Sequence, residues 1–152
     1  MDGLSTSELR ELYRDLILDH ARRPRHFGAL PRATHFADGS NPLCGDKLRL
    51  YLAIDEADRI QDAAFEGSGC AISVASASLL TDTVIGMRPE EAMKFAQALI
   101  GRLTGKETEF ELGKLSALEG VREFPSRVKC ATLAWHAMNS AIRQDSRPAS
   151  TE

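Results

Sequence analysis

Residues 41–54 read NPLCGDKLRLYLAI, a stretch that joins a turn carrying two possible metal ligands to a strand. From Leu48 to Ile54, apolar residues alternate with polar or small ones, which predicts a half-buried β-strand. Weaker strand patterns lie on either side, at residues 34–43 and 59–66. Three short consecutive strands joined by turns indicate an antiparallel meander.

Helical patterns surround these strands. A capping box at Ser5 and Glu8 begins a first helix, which should end before Pro24 because proline disfavours helical geometry in its predecessor. Later helices are predicted over residues 71–85, from Pro89 to Leu103, and from Pro125, the last with an apolar stripe at Val128, Ala131, Trp135, Met138 and Ile142. The fold class that follows is α+β, a three-stranded antiparallel sheet with helices packed on one face.

The composition is that of an ordinary globular protein, with 43% hydrophobic residues among 152. We expect one domain over residues 1–143 and a flexible, polar tail over residues 144–152. The net charge of −3 argues against a nucleic-acid-binding role, and no apolar run reaches the ~18 residues of a membrane span. No secretory signal is visible and the cysteine count of three is odd, so we expect a reduced, cytoplasmic protein.

Cys44, Cys70 and Cys130 each lie beside a turn or a predicted helix start. On a short extended segment, Cys44 and Asp46 would point to the same side, towards one common centre. Helix N-termini carry partial positive charge, which should lower the pKa of the other two cysteines and favour the thiolates that bind metals. Taken alone, however, a cysteine beside glycine is more often a small buried hydrophobe, and Asp46 is more often a turn former.

Three segments carry a resemblance that covers residues 9–142. They are Asn41-Pro42-Leu43-Cys44-Gly45-Asp46, then Phe65-Glu66-Gly67-Ser68-Gly69-Cys70-Ala71-Ile72-Ser73, and Phe124-Pro125-Ser126-Arg127-Val128-Lys129-Cys130-Ala131 with Trp135. In this order they resemble the SufU branch of the IscU/NifU superfamily of iron–sulfur cluster assembly proteins. Two features separate the chain from the IscU branch: Lys129 stands where that branch has histidine, and an extra segment occupies residues 101–121.

The resemblance implies a zinc site of three thiolates and one carboxylate, a donor set that suits tetrahedral zinc. The implied ligands are Cys44, Asp46, Cys70 and Cys130. Because these donors carry more negative charge than the ion offsets, a cation beside the bound cofactor should help, and Arg127 and Lys129 are candidates. Both are also consistent with ordinary solvated charges at a helix start.

The same resemblance implies sulfur acceptance from a pyridoxal-phosphate cysteine desulfurase of the SufS type, for a downstream Suf assembly scaffold. Cys44 would be the catalytic acceptor, attacking the outer sulfur of a persulfide as in thiol–disulfide exchange. In the family, a desulfurase histidine replaces this cysteine on the metal during docking. We expect a monomer or a weak homo-oligomer.

Two other functions stay open at this point. The same residues suit scaffolding of a [2Fe–2S] cluster, which takes thiolates with an occasional other ligand. Lys129 in place of histidine favours sulfur transfer over scaffolding. A structural zinc module that binds other proteins is the third alternative. None of the four histidines is expected to bind metal, and His20 is expected in or near the core.

Overall fold

The computed structural model describes residues 6–106, 108–144 and 149–150. The elements follow the chain as α1 (Thr6–Arg22), β1 (His35–Asn41), β2 (Asp46–Ile54), β3 (Ile60–Ser68), α2 (Ala71–Val84), α3 (Pro89–Leu103), a 3₁₀ segment (Gly113–Val121), α4 (Pro125–Arg143) and β4 (Ala149–Ser150). The predicted starts of α2, α3 and α4 are confirmed, and the 3₁₀ segment lies at the end of the extra segment over residues 101–121. Ser5, the predicted cap of α1, lies outside the described residues.

The sheet contains the predicted meander. β1 pairs with β2 and β2 with β3, both antiparallel, with Asn41 opposite Asp46 and Leu50 opposite Phe65. β4 adds a fourth, two-residue strand that runs parallel to β1 and pairs Gly39 with Ala149. This strand falls in the stretch predicted as a flexible tail, of which residues 145–148 and 151–152 lie outside the described residues.

Helices cover one face of the sheet, as predicted. Leu50 and Leu52 of β2 are fully buried against this helical layer. On the opposite face of the same strand, Arg49 is half-buried and donates hydrogen bonds of 2.7 and 3.0 Å to the Asp38 carboxylate of β1. The alternation in the sequence therefore separates a core face from a polar face, as a half-buried strand requires.

The burial of α4 differs from the predicted stripe. Ala131, Trp135 and Met138 are buried as predicted, but Leu133 and Ala137 are buried as well. The narrow stripe is wrong because α4 lies between other elements, with β1 and β2 on one side and α2 and α3 on another. Packing of this kind buries most of the helix surface, which the 3.6-residue period alone does not reveal.

Small side chains on α2 let α4 approach closely. The Trp135 indole nitrogen donates a hydrogen bond of 3.0 Å to the Ser76 hydroxyl, which in turn donates one of 2.5 Å to the Ala131 carbonyl. The Phe95 ring of α3 stacks on Trp135 with ring centroids 5.5 Å apart. These contacts fix the start of α4 relative to the start of α2, where Cys130 and Cys70 lie.

A buried histidine attaches α1 to α2. His20 is 1% exposed, and its Nδ1 lies 2.7 Å from the Ser78 hydroxyl, which also accepts a hydrogen bond from the Arg25 backbone amide. Burial lowers the pKa of His20, which keeps the ring neutral. The predicted core position of His20 is confirmed.

None of the described helices has the length and apolar character that crossing a bilayer requires.

Substitution of Gly67 by alanine should destabilise the protein strongly. Gly67 has a φ of 140°, and a Cβ added there would lie 2.1 Å from the Lys47 carbonyl oxygen on the neighbouring strand. We expect Gly67→Ala to lower the free energy of unfolding by more than about 2 kcal/mol, measured by urea denaturation. Gly120→Ala is the control, because a Cβ at Gly120 meets nothing within 4 Å. Equal stability of the two variants would contradict the prediction.

Candidate metal centre

The turn between β1 and β2 presents the first candidate ligand. Residues 42–45 form the turn, closed by hydrogen bonds from the Cys44 amide to the Asn41 carbonyl at 3.1 Å and from the Gly45 amide to the Pro42 carbonyl at 3.3 Å. Gly45 has a φ of 73°, in the left-handed region that glycine tolerates best. Cys44 is exposed on this turn.

Asp46 begins β2 and is fully buried. The predicted route by which Cys44 and Asp46 approach each other is therefore wrong. The segment is a turn rather than an extended strand. The curvature of the turn, and not the alternation of side chains along a strand, brings the Cys44 and Asp46 side chains together. The predicted outcome holds nevertheless, since both side chains point towards a common centre.

Hydrogen bonds and close packing fix the Asp46 carboxylate. Its Oδ1 accepts a hydrogen bond of 2.8 Å from the Cys70 backbone amide, and its Oδ2 lies 3.4 Å from Nδ2 of Asn41. Gly69 leaves the space that Oδ1 occupies, because a Cβ at Gly69 would lie 2.5 Å from that oxygen. The carboxylate thus connects the end of the β1–β2 hairpin to the start of α2.

The other two cysteines come from two helix starts. Cys70 is the N-cap of α2, and its sulfur accepts a hydrogen bond of 3.4 Å from the Ser73 amide. Cys130 lies in the second turn of α4, is 2% exposed, and its sulfur lies 3.5 Å from Nδ2 of Asn41. The two thiols thus differ in exposure, since Cys70 is half-buried and Cys130 is buried.

Three of the four predicted ligands converge on one point. One potential ligand atom from each of Cys44, Asp46 and Cys130 lies within 4.8 Å of the other two. Cys70 is not part of this group of three, but its amide binds Asp46 and its side chain affects the titration of Cys130. Two thiols and a carboxylate within this distance, with a third thiol beside them, match the donors that tetrahedral zinc prefers.

The electrostatics of the site call for a cation. Burial raises the pKa of the Cys130 thiol, and the side chains of Asp46, Cys44 and Cys70 raise it further. The expected lowering of this pKa by a helix N-terminus is therefore wrong for Cys130 in the protein alone. Among the described residues, Asp46 has no ion pair with a lysine or arginine. Since a buried carboxylate needs charge compensation, a metal ion that also deprotonates the thiols fits these residues.

Comparison with known proteins assigns the chain to a protein family. Residues 12–147 match the family described as NifU-like N terminal domain. The chain belongs to this family. The resemblance to the IscU/NifU superfamily, stated from the sequence motifs, is thereby confirmed.

Relatives of this NifU-like chain carry two different functional names. The zinc-dependent sulfurtransferase SufU of Bacillus subtilis (strain 168) is 40% identical over 141 residues, 91% of this chain and 95% of that protein. The iron-sulfur cluster assembly scaffold protein IscU of Streptococcus pyogenes serotype M1 is 43% identical over 143 residues, 93% of this chain and 89% of that protein. A crystal structure of a nitrogen-fixing NifU-like protein (N-terminal) from Brucella abortus matches with a TM-score of 0.78 at 27% identity, covering 90% of this chain and 95% of that one.

The two predicted cations lie near the start of α4, outside the ligand group. Arg127 is exposed, and its guanidinium lies over the Phe124 ring, 4.9 Å from the centroid. Lys129 is half-buried and, like Arg127, lines a groove between α1, the 3₁₀ segment and α4. Neither forms an ion pair with Asp46 within the part of the chain that the structure describes. Their role beside a bound cofactor stays a prediction.

Two residues of the site received no role from the sequence. Asn41 and Gly69 both belong to the motifs that carry the family resemblance, and that membership was the available signal. In the sequence Gly69 is only a member of its motif, whereas the structure shows that it makes room for Asp46. Asn41 was interpreted only as the first residue of its motif, whereas its side chain lies between two candidate ligands.

Substitution of Gly69 by alanine should weaken metal binding without unfolding the chain. The added methyl group would displace the Asp46 carboxylate, while the backbone of Gly69 lies outside the left-handed region and accepts alanine. We expect the affinity for Zn²⁺ to fall about tenfold or more, measured by competition with a chromophoric chelator. Gly120→Ala should bind zinc as the unchanged protein does. Unaltered affinity in Gly69→Ala would show that Asp46 is not a ligand.

Proposed function

We propose that this protein is a zinc-containing sulfur acceptor of iron–sulfur cluster assembly, with Cys44 as the residue that takes the sulfur. The proposal rests on the contrast in solvent exposure among the side chains of one candidate ligand group. Cys44 is exposed on a turn, whereas Asp46 and Cys130, within 4.8 Å of it, are buried. A partner protein therefore has access to one thiol of the group and not to the others.

The zinc would be held by Cys44, Asp46, Cys70 and Cys130. When bound, the ion supplies the positive charge that keeps thiols ionised in a buried, acidic cluster. Arg127 and Lys129 would add positive charge at the mouth of the site, from the start of α4. The name of the Bacillus subtilis relative, which is a zinc-dependent sulfurtransferase, supports the choice of metal.

Sulfur would reach the protein as the outer sulfur of a persulfide on a cysteine desulfurase that uses pyridoxal phosphate. The Cys44 thiolate attacks that outer sulfur and forms a new S–S bond, while the S–S bond of the donor breaks. The desulfurase cysteine leaves as a thiolate, and the proton on the outer sulfur is retained or lost to water. The persulfide on Cys44 then offers the same outer sulfur to a downstream assembly scaffold.

This chemistry requires thiols that are not joined in disulfides. All three cysteines are free, and the proposal places the protein in the reducing cytoplasm, where thiols persist. Its functional unit would be the single domain over residues 1–143. A partner desulfurase of the SufS type is proposed on the strength of the SufU relative alone.

A second candidate function is assembly of a [2Fe–2S] cluster on the same residues. It is favoured by the Streptococcus pyogenes relative, whose name is that of a scaffold protein. A carboxylate among thiolates also suits a cluster with one ligand other than cysteine. A purely structural zinc site is less well supported, because such sites are closed and Cys44 is exposed.

Metal content distinguishes these functions. For protein purified without oxygen, we expect about one equivalent of zinc and faster cysteine turnover when it is added to a cysteine desulfurase. Elemental analysis and sulfide release from cysteine measure the two quantities. Iron with acid-labile sulfide in place of zinc would favour the scaffold, and zinc without any effect on the desulfurase would favour the structural module.

Substitution of Cys44 should abolish sulfur uptake and leave the fold intact. Because Cys44 is exposed, we expect Cys44→Ala to change the stability of the metal-free protein by no more than about 0.5 kcal/mol. Uptake of ³⁵S from labelled cysteine in the presence of desulfurase should fall to background. Ser68→Ala, an exposed substitution at the end of β3, is the control and should take up sulfur normally. Normal uptake by Cys44→Ala would refute the assignment.

A further inference from the structure

Asn41 is a buried amide in contact with two of the candidate ligands. The residue is 0% exposed and ends β1 directly opposite Asp46. Its Nδ2 lies 3.5 Å from Sγ of Cys130 and 3.4 Å from Oδ2 of Asp46. The distance to sulfur is that of an N–H···S hydrogen bond, whereas the distance to oxygen is long for N–H···O, so sulfur is the main acceptor.

The chemistry of the partners fixes which end of the amide faces them. In the proposed metal-bound site, the Cys130 thiolate and the Asp46 carboxylate are both acceptors without a proton to give, so the nitrogen of the amide is turned towards them. The amide oxygen is then directed elsewhere, and within the described residues it is buried with no hydrogen-bond partner. A buried oxygen without a partner is unfavourable, so the hydrogen bond from the amide nitrogen to sulfur must contribute enough to keep the side chain in this orientation.

We propose that Asn41 is a positioning residue of the metal centre, which donates an N–H···S hydrogen bond to Cys130 and so orients that ligand and spreads its charge. The inference rests on the proposed metal site. Cys130 has no other donor among the described side chains, whereas Asp46 has the Cys70 amide and Cys70 has the Ser73 amide. Asn41 therefore gives the most buried thiolate the donor that it otherwise lacks.

The backbone of the same residue has a second effect. The Asn41 carbonyl accepts the hydrogen bond from the Cys44 amide that closes the turn. One residue thus contacts the exposed ligand through its backbone and the buried ligands through its side chain. Substitutions that remove only the side-chain donor separate these two effects, because the backbone bond is retained.

The test uses Asn41→Leu, which keeps the branched shape with a larger volume and has no donor, with Asn139→Leu as the matched control. Asn139 also has a buried amide oxygen without a partner, but it lies on α4 more than two turns beyond Cys130. In Asn41→Leu we expect Zn²⁺ affinity to fall about 10- to 100-fold. In the Co²⁺-loaded protein, the sulfur-to-cobalt charge-transfer band should move to lower energy, because an unbonded thiolate gives up an electron more easily. The control should change neither quantity.

The outcomes separate this inference from the proposed function. If the unchanged protein fails to bind Zn²⁺ and Co²⁺, the proposed function fails. If it binds both and Asn41→Leu matches it in affinity and spectrum, only the inference on Asn41 is overturned. Circular dichroism of the metal-free variants checks the fold.

If Asn41→Leu does not fold, the unchanged protein loaded with ¹¹³Cd decides. A scalar coupling between cadmium and the Asn41 side-chain amide protons, transmitted through the Cys130 sulfur, supports the hydrogen bond. Its absence in a spectrum that shows the cysteine Hβ couplings overturns the proposal.

Discussion

The carboxylate of Asp46 is buried at the point where β2 begins, and the arrangement of the site depends on how that charge is accommodated. Moving an ionised carboxylate from water into the protein interior costs several kcal/mol, on the order of the effective penalty for one buried ion. Hydrogen-bond donors and an opposite charge around the carboxylate offset this cost. The Cys70 amide and the Asn41 side chain supply the donors. The donors to this one carboxylate come from the end of the β1–β2 hairpin and from the start of α2, so these two elements lie close together. Cys130 of α4 completes the group.

Two glycines show how closely the elements must approach for this to happen. Gly67 allows β3 to run against the Lys47 carbonyl, and Gly69 allows the chain to pass the Asp46 carboxylate. A side chain at either position would push the start of α2 away from β2. The segment that leads into Cys70 is therefore shaped by proximity to its neighbours, and the backbone freedom of glycine is only part of the reason for its use.

The sequence predicted those features whose cause is local. The alternation from Leu48 to Ile54 reflects one covered face of a strand, and Pro89 and Pro125 mark helix starts, so these elements were confirmed. Features that depend on distant neighbours were missed or misjudged. The stripe on α4 was predicted too narrow because strands, other helices and the 3₁₀ segment all pack against that helix. The pKa of Cys130 was predicted in the wrong direction because its burial, and the Asp46, Cys44 and Cys70 side chains beside it, depend on other elements of the fold. The ligand set came from the family resemblance, since the distances between the cysteines in sequence match no compact zinc motif.

The site lies at the end of the sheet, and the main core is formed without its ligands. Leu50, Leu52 and Trp135 are buried among apolar neighbours from the sheet, α2, α3 and α4. The fold therefore has its own source of stability, in contrast to a small zinc finger, whose folding energy is that of metal binding. If these side chains hold a metal as proposed, loss of the bond at the exposed Cys44 would disturb the turn that carries it, while Asp46 and Cys130 remain held by hydrogen bonds from Asn41 and from the Cys70 backbone. Under the proposed function, such a centre, with one accessible thiol and its other donors held in place, would exchange sulfur with a partner without unfolding.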